Sequence, residues 1–185
     1  MGLLSSISKL QPFLEILKLK ASPIDIFVIL ATSSFIEKVD YKIFPAILSG
    51  ILMHSSGDIF NDIYDREIDK ICKPSAVIPS GRMSVKAAWI YLFALTIIAL
   101  IIAATLSKIM LFSYLLGIFI GFFLYSHPKF RFKDIPIIGS AMPAICFSLE
   151  SIGVWSIYSP ITTEALTFST YIFFLVFSLI FLKDF

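Results

Sequence analysis

The chain has 185 residues, of which 58% are hydrophobic and 15% charged, with a mean hydropathy of +0.91 and a net charge of +2. Globular domains average roughly 45–50% apolar and about 25% charged residues. The composition therefore excludes a disordered tail, a basic nucleic-acid-binding domain and an ordinary water-soluble fold, and we expect no nucleic-acid partner. Cys72 and Cys146 fall in no metal-binding or redox spacing. We predict an all-α, multi-span transmembrane bundle.

Hydrophobic segments predict the membrane helices in chain order. The first 20 residues are amphipathic, and we expect them to lie along the membrane surface. A helix needs about 20 mostly apolar residues to cross the hydrocarbon core. Six candidate spans follow: Ser22–Ile36, Ile43–Phe60, Ala87–Leu106, Ile109–Tyr125, Ile135–Trp155 and Leu166–Leu182. The predicted organisation is a single transmembrane domain over residues 1–185.

The positions of the basic residues predict how the chain is oriented. If the N-terminus is cytoplasmic, twelve of the fifteen Lys and Arg residues fall on the cytoplasmic side. Cytoplasmic loops of membrane proteins carry an excess of these residues. We therefore expect a multi-pass cell-membrane protein whose polar stretch from Asn61 to Lys86 and whose Tyr125–Asp134 connection face the cytoplasm. Pro74, Pro79 and Gly81 indicate that the polar stretch is a loop.

Acidic residues recur in this stretch at spacings of four, three and four: Asp58, Asp62, Asp65 and Asp69. If the second helix continues past Phe60, these carboxylates share one helical face. Like charges so arranged destabilise a helix, and carboxylates are costly near a bilayer, so a bound cation is expected. Mg²⁺ is typically held by one or two carboxylates, water and substrate phosphate oxygens. The alternative is a solvated acidic helix end neutralised by Arg66 and Lys70.

The order of these residues resembles a known family. N-D-I-Y-D-R-E-I-D-K at residues 61–70 closely resembles the first aspartate-rich motif, NDxxDxxxD, of the UbiA superfamily of intramembrane prenyltransferases. K-P-S-A-V-I-P-S-G-R-M-S at residues 73–84 is similar to the P-S-G-R tail of that motif, and Y-S-H-P-K-F-R-F-K at residues 125–133 to the family's tyrosine–lysine segment. Within the family, the P-S-G-R tail and the D-R-E-I-D-K pattern favour resemblance to an archaeal branch that adds geranylgeranyl to a glyceryl phosphate. Ser75-Ala76-Val77 departs from the usual Asn-Arg-Pro, and Asp25 stands where the first span usually has Asn.

The resemblance implies a fold of nine helices around a central cavity, with two aspartate motifs. This chain holds about six of those nine helices. Lys183-Asp184 looks like the opening of the second motif, so we expect the chain alone to be a poor catalyst. The implied reaction is Mg²⁺-dependent transfer of a polyprenyl group from prenyl diphosphate to a lipophilic acceptor in the lipid bilayer, either a lipid glyceryl phosphate or an aromatic ring. Two alternatives stay open. One is an inactive prenyl-diphosphate-binding remnant or partner subunit; the other is a transporter or channel subunit, which leaves the motif unexplained.

The resemblance also implies roles for individual residues. Asp62, Asp65 and Asp69 would hold Mg²⁺, with Asn61 as a further ligand or orienting group. The candidates for contact with diphosphate are Arg66, Lys70, Lys73, Arg82 and Tyr125, together with Lys129 or Lys133 according to which variant of the tyrosine–lysine segment applies. His54 lies two helical turns before Asn61 and either binds the acceptor and takes its proton or is a hydrogen-bonded core histidine. Glu150 is an intramembrane carboxylate, which makes it a functional candidate.

Overall fold

A computed structural model describes residues 10–183, and within them the chain is helical throughout. A short helical stretch at residues 10–15 precedes six longer helices. These are α1 (Pro23–Phe35), α2 (Ile43–Cys72), α3 (Val85–Leu106), α4 (Lys108–Ile118), α5 (Pro136–Tyr158) and α6 (Thr163–Lys183). A π-helical segment, Phe119–Ser126, continues α4, and a 3₁₀ turn, Phe132–Asp134, precedes α5. The all-α prediction is confirmed.

Five helices, α2 to α6, are long and apolar enough to cross a membrane when α4 is taken with its π-helical continuation as Lys108–Ser126. The predicted first span is different, because α1 has only 13 residues. At 1.5 Å per residue it is about 20 Å long, shorter than the roughly 30 Å hydrocarbon core. All six predicted segments are therefore helical, but the first is too short to span by itself. The chain is a multi-pass membrane protein.

Helix α2 is longer than expected. It has 30 residues and continues from the predicted span through the whole acidic stretch to Cys72. No Pro or Gly interrupts it after Gly57, and it ends at Lys73 because the residue before a proline disfavours the α conformation. Its length of about 45 Å exceeds the hydrocarbon thickness, so one end extends beyond the bilayer. The predicted loop from Asn61 to Lys86 is therefore reduced to residues 73–84.

Tight connections and apolar clusters hold the helices together. Ser107 ends α3 and caps α4 through a hydrogen bond that Ile109 N donates to its Oγ at 3.1 Å, so these two helices are antiparallel neighbours. One cluster packs Ile59 and Ile63 of α2 against Leu92 of α3. A second cluster joins the five helices α1 to α5, and a third joins α1, α5 and α6. Helix α2 therefore packs at the centre, with α1, α3 and the π-helical segment around it.

Candidate functional site

A cavity of about 220 Å³ lies between α1, α2, α4 and α5. Helix α2 forms one wall, with residues at helical spacing from Gly50 through His54 and Asp58 to Asn61. Eleven residues separate the ends of this wall, which corresponds to about 16 Å along the helix axis. We call the end at Asn61 the mouth and the end at Gly50 the deep end. The mouth adjoins the part of α2 that carries the predicted metal ligands.

Glycines and an irregular helix create the space on the opposite wall. A Cβ atom placed on Gly117 would meet nothing within 4 Å, so the absence of a side chain there leaves open volume. The π-helical segment presents Phe122, Tyr125 and Ser126 to the cavity. Such segments have a wider turn than an α-helix and are frequent at functional sites. The predicted substrate contact Tyr125 therefore lies on the cavity wall.

The mouth brings together residues from α2 and from the connection before α5. Lys133 Nζ donates hydrogen bonds to Asn61 Oδ1 and to Asp65 Oδ2, each at 2.5 Å. Arg131 Nη1 donates to the other oxygen of Asp65 at 3.2 Å, and Ser126 Oγ donates to Asn61 at 3.2 Å. The Lys133 side chain is only 10% exposed. A largely buried cation network thus joins the acidic motif to the tyrosine–lysine segment, 68 residues away in sequence.

The other predicted metal ligands have separate partners. Lys18 Nζ contacts Asp62 Oδ1 at 2.6 Å, and Lys73 Nζ contacts Asp69 Oδ1 at 3.3 Å. Burial acts to lower the pKa of Lys18, but the nearby carboxylates of Asp58 and Asp62 outweigh this effect and raise it above its ordinary value. Protein cations therefore pair with three aspartates of this acidic face: Asp62 and Asp69 with one each, and Asp65 with two.

The donor set fits Mg²⁺ provided that substrate completes the coordination. Among residues 10–183, no three His, Cys, Asp or Glu side chains converge closely enough to hold a metal ion by themselves. Mg²⁺ is usually bound through only one or two protein carboxylates, with water and phosphate oxygens as the other ligands. Asp62 and Asp65 supply such carboxylates beside Asn61, and the ammonium groups now paired with them show that these oxygens bind cations in this arrangement.

The structure separates the two candidate lysines of the tyrosine–lysine segment. Lys133 lies in the mouth, whereas the Lys129 side chain is exposed. The remaining predicted diphosphate contacts on α2 are Arg66 and Lys70, and both pair with the exposed Glu67. Of the predicted cations, Lys133 is therefore the one that the structure brings to Asn61 and Asp65.

Arg82 ties the loop at residues 73–84 to the N-terminal segment. Its guanidinium donates to both carboxylate oxygens of Glu15, at 2.5 and 2.7 Å, and to the Ser75 carbonyl oxygen at 2.6 Å. The hydrogen bond from Arg82 lowers the pKa of Glu15. Ser55 Oγ of α2 also donates to the Leu17 carbonyl oxygen at 2.9 Å. These contacts hold the segment over α2 and position Lys18 beside Asp62.

The deep end is polar although it lies inside the helical bundle. His54 Nδ1 and Asp25 Oδ2 are 2.8 Å apart, and the Asp25 side chain is 2% exposed. Glu150 of α5 is also buried there, with its carboxylate against Gly50 and its Oε2 without a hydrogen-bond partner in the described part of the chain. Tyr114 of α4 lies on the same wall and shares a 3.2 Å hydrogen bond with Ser49.

Several of these residues were not predicted from the sequence. Arg131 contacts Asp65, but no site role was predicted for it from the sequence. Its position within the tyrosine–lysine segment is the feature of the sequence that indicates such a role. Lys18 is 44 residues from its partner Asp62, and no local pattern indicates this pairing. Asp184, predicted to open a second motif, lies outside the described residues, as do residues 1–9 of the predicted surface segment.

Comparison with known sequences gives the family. Residues 26–185 match the UbiA prenyltransferase family. The chain belongs to this family. Its relatives include a digeranylgeranylglyceryl phosphate synthase of Methanobrevibacter smithii, which is 30% identical over 144 residues covering 75% of this chain and 50% of that protein. The bacteriochlorophyll synthase 34 kDa chain of Chloroflexus aurantiacus is 30% identical over 132 residues, 71% of this chain and 42% of that one. The chain thus spans about half the length of these UbiA relatives or less.

Solved structures of UbiA proteins have the same fold. A UbiA homologue from Archaeoglobus fulgidus bound to GPP and Mg²⁺ superposes with a TM-score of 0.78 at 22% identity, covering 91% of this chain and 60% of that one. A structure of digeranylgeranylglyceryl phosphate synthase gives a TM-score of 0.71 at 23% identity, with 94% and 60% covered. At this level of identity the likeness establishes the fold alone.

Proposed function

We propose that this chain carries the prenyl-diphosphate site of a UbiA-type transferase, which moves a polyprenyl group to a lipophilic acceptor dissolved in the bilayer. The observation that carries the proposal is the mouth, where Asn61 and Asp65 of the NDxxDxxxD motif meet Lys133 and Arg131 beside a cavity enclosed by membrane helices. A prenyl diphosphate fits this arrangement, because its anionic diphosphate can bind at the mouth while its apolar chain lies among the helices.

The roles of the mouth residues follow from their charges. Asp62 and Asp65, with Asn61 and with Asp69 further along the helix, would hold Mg²⁺, which when bound neutralises the diphosphate and stabilises its departure. The Lys133 ammonium and the Arg131 guanidinium would turn from Asp65 to the phosphate oxygens, the first as a point charge and the second as a planar donor fork. Tyr125 would contact the substrate from the cavity wall.

The apolar lining protects the reacting carbon. Phe122 and Phe147 face the cavity, and aromatic ring faces tolerate a developing positive charge. Exclusion of water by such walls strengthens the electrostatic contacts at the mouth and prevents hydrolysis of the allylic group. The name of one relative, digeranylgeranylglyceryl phosphate synthase, indicates a glyceryl phosphate lipid, and that of another, 2-acylphloroglucinol 4-prenyltransferase, indicates an aromatic ring. These are the two acceptor classes that we propose.

The orientation follows from the charge distribution. If the N-terminus lies on the same side of the membrane as the mouth, the sequence assigns twelve of the fifteen Lys and Arg residues to that side. By the positive-inside rule, we propose that this side is cytoplasmic, where a water-soluble metal ion and a released diphosphate can exchange.

The experiment is a turnover assay in lipid nanodiscs with ¹⁴C-geranylgeranyl diphosphate, Mg²⁺ and either an alkylglyceryl phosphate or a dihydroxybenzoate acceptor. The proposal expects labelled acceptor and released diphosphate, both abolished by a chelator. Binding of the labelled diphosphate without release in either acceptor mixture would instead support the second candidate, a prenyl-diphosphate-binding protein without transfer activity. Absence of metal-dependent binding would contradict both.

A further inference from the structure

The deep end of the cavity holds a group of polar side chains that diphosphate binding at the mouth does not use. Asp25 of α1, His54 of α2, Tyr114 of α4 and Glu150 of α5 all line it. His54 is seven residues before Asn61, so about 10 Å along the helix separates it from the mouth. That distance leaves room for the reacting carbon and an acceptor atom between the diphosphate and the imidazole.

The Asp25–His54 pair has the arrangement of a general base. A carboxylate that accepts a hydrogen bond from Nδ1–H fixes the tautomer of the imidazole and leaves Nε2 as the basic nitrogen. The 2.8 Å separation of Nδ1 and Oδ2 and the burial of Asp25 give this orientation. The rings of His54 and Phe147 form a T-shaped pair with their centroids 5.5 Å apart, and this contact restricts rotation of the imidazole.

Glu150 indicates which chemical group the deep end binds. Only 6% of the Glu150 residue is exposed, and its Oε2 is buried without a hydrogen-bond partner among the described residues. A buried acceptor oxygen without a donor is costly, so a ligand that supplies an O–H group would be stabilised there. Among residues 10–183 no Lys or Arg lines the deep end, and the Asp25 carboxylate would repel a carboxylate or phosphate placed there.

We infer that the deep end binds a hydroxyl group of the acceptor and that His54, oriented by Asp25, takes the hydroxyl proton as transfer occurs. The inference rests on the proposed function. The acceptor oxygen forms a bond to C1 of the prenyl group while the bond from C1 to the diphosphate oxygen breaks. The bonding electron pair leaves with the diphosphate, and the proton moves from the hydroxyl oxygen to Nε2 of His54. His54 is thus a catalytic residue, and Asp25 is a positioning residue.

The partition of products tests the role of His54. In the turnover assay, His54→Gln keeps release of diphosphate from geranylgeranyl diphosphate but loses deprotonation of the acceptor, so water captures more of the prenyl group. With the alkylglyceryl phosphate acceptor, we expect the ratio of prenylated alkylglyceryl phosphate to geranylgeraniol to fall by about 100-fold, the lower end of the usual range for a general base. Asp25→Asn should lower the ratio by about tenfold, as for other residues that orient a functional side chain. An unchanged ratio in His54→Gln, with diphosphate still released, would overturn the inference.

A binding measurement tests the deep end without turnover. Without metal, the wild-type protein should bind a labelled monoalkylglycerol about tenfold more tightly than a fatty acid of equal length, because the hydroxyl donates to Glu150 and the carboxylate is repelled. Glu150→Gln replaces one carboxylate oxygen by an amide donor at nearly constant shape, so the hydroxyl loses its acceptor and this preference should narrow. The matched control is Glu164→Gln, the same exchange at an exposed position of α6 outside the cavity lining, and it should change neither readout. Equal affinity of the wild type for the two probes would contradict the inference. A wild type that releases no diphosphate contradicts the proposed function instead.

Discussion

Substitution of Lys133 is the most specific test of the mouth, because Lys129 in the same segment provides a matched control. Lys133→Met keeps most of the side-chain volume and removes an ammonium that is 10% exposed and bonded to both Asn61 and Asp65. Asp65 keeps its contact with Arg131, so the variant should remain folded. Lys129→Met removes the same charge from an exposed position four residues earlier.

The expected magnitude follows from the strength of a hydrogen bond to a charged group. Such a bond contributes about 1.5–3 kcal/mol, which corresponds to roughly 10–100-fold in affinity. We therefore expect Lys133→Met to weaken Mg²⁺-dependent binding of geranylgeranyl diphosphate by that factor, and Lys129→Met to change it less than about twofold because exposed charges are screened. Equilibrium binding in nanodiscs measures both, and thermal unfolding checks the fold. A larger loss in Lys129→Met, or equal losses in the two variants, would refute the placement of Lys133.

Three further changes have definite expected outcomes. Gly117→Leu should fill open cavity volume, so it should weaken binding of the prenyl chain more than tenfold while thermal stability is kept; unchanged binding would show that the chain lies elsewhere. Gly139→Ala would place its Cβ 2.6 Å from the Lys133 carbonyl oxygen and should lower the unfolding temperature, and a wild-type value would contradict this contact. Arg82 lowers the pKa of Glu15 in the folded protein. The Arg82–Glu15 pair therefore stabilises the fold when the pH is above the ordinary pKa of a glutamate. This stabilisation is lost as the pH falls through the lowered pKa of the folded state. Thermal scans should show Glu15→Gln less stable than the wild type at neutral pH and equal to it once the pH is below the lowered pKa of Glu15; a constant difference would refute the linkage.

Much of the helical framework could be predicted because it depends on local physics. Runs of apolar residues of sufficient length located all six helices, and Pro23, Pro74 and Pro136 lie at helix ends where proline belongs. The prediction was least accurate where polarity and helix propensity disagree. The acidic part of α2 is too polar for a span, yet it contains no helix breaker before Lys73, so the helix continues beyond the membrane.

The candidate site was only partly predictable. The aspartate spacing located the motif, since helical periodicity determines which residues share a face. The choice between Lys129 and Lys133 depends on how residues 127–135 turn, and Arg131, with a φ of 43°, sits within that turn. The pairs Lys18–Asp62 and His54–Asp25 join residues 44 and 29 positions apart. No periodicity relates positions on different helices, so these contacts required the packed structure.

The proposed function requires that the aspartates of α2 bind the prenyl diphosphate through Mg²⁺. The most direct test is equilibrium binding of ³H-geranylgeranyl diphosphate to the protein in nanodiscs, with Mg²⁺ or with a chelator, for the wild type, Asp62→Ala, Asp65→Ala and the control Glu67→Ala. Glu67 is an exposed acid on the same helix, outside the cavity lining. We expect metal-dependent binding that Asp62→Ala and Asp65→Ala weaken at least tenfold, or by about 1.4 kcal/mol, and that Glu67→Ala preserves. Equal affinity with and without the chelator, or equal affinity in all four proteins, would contradict it.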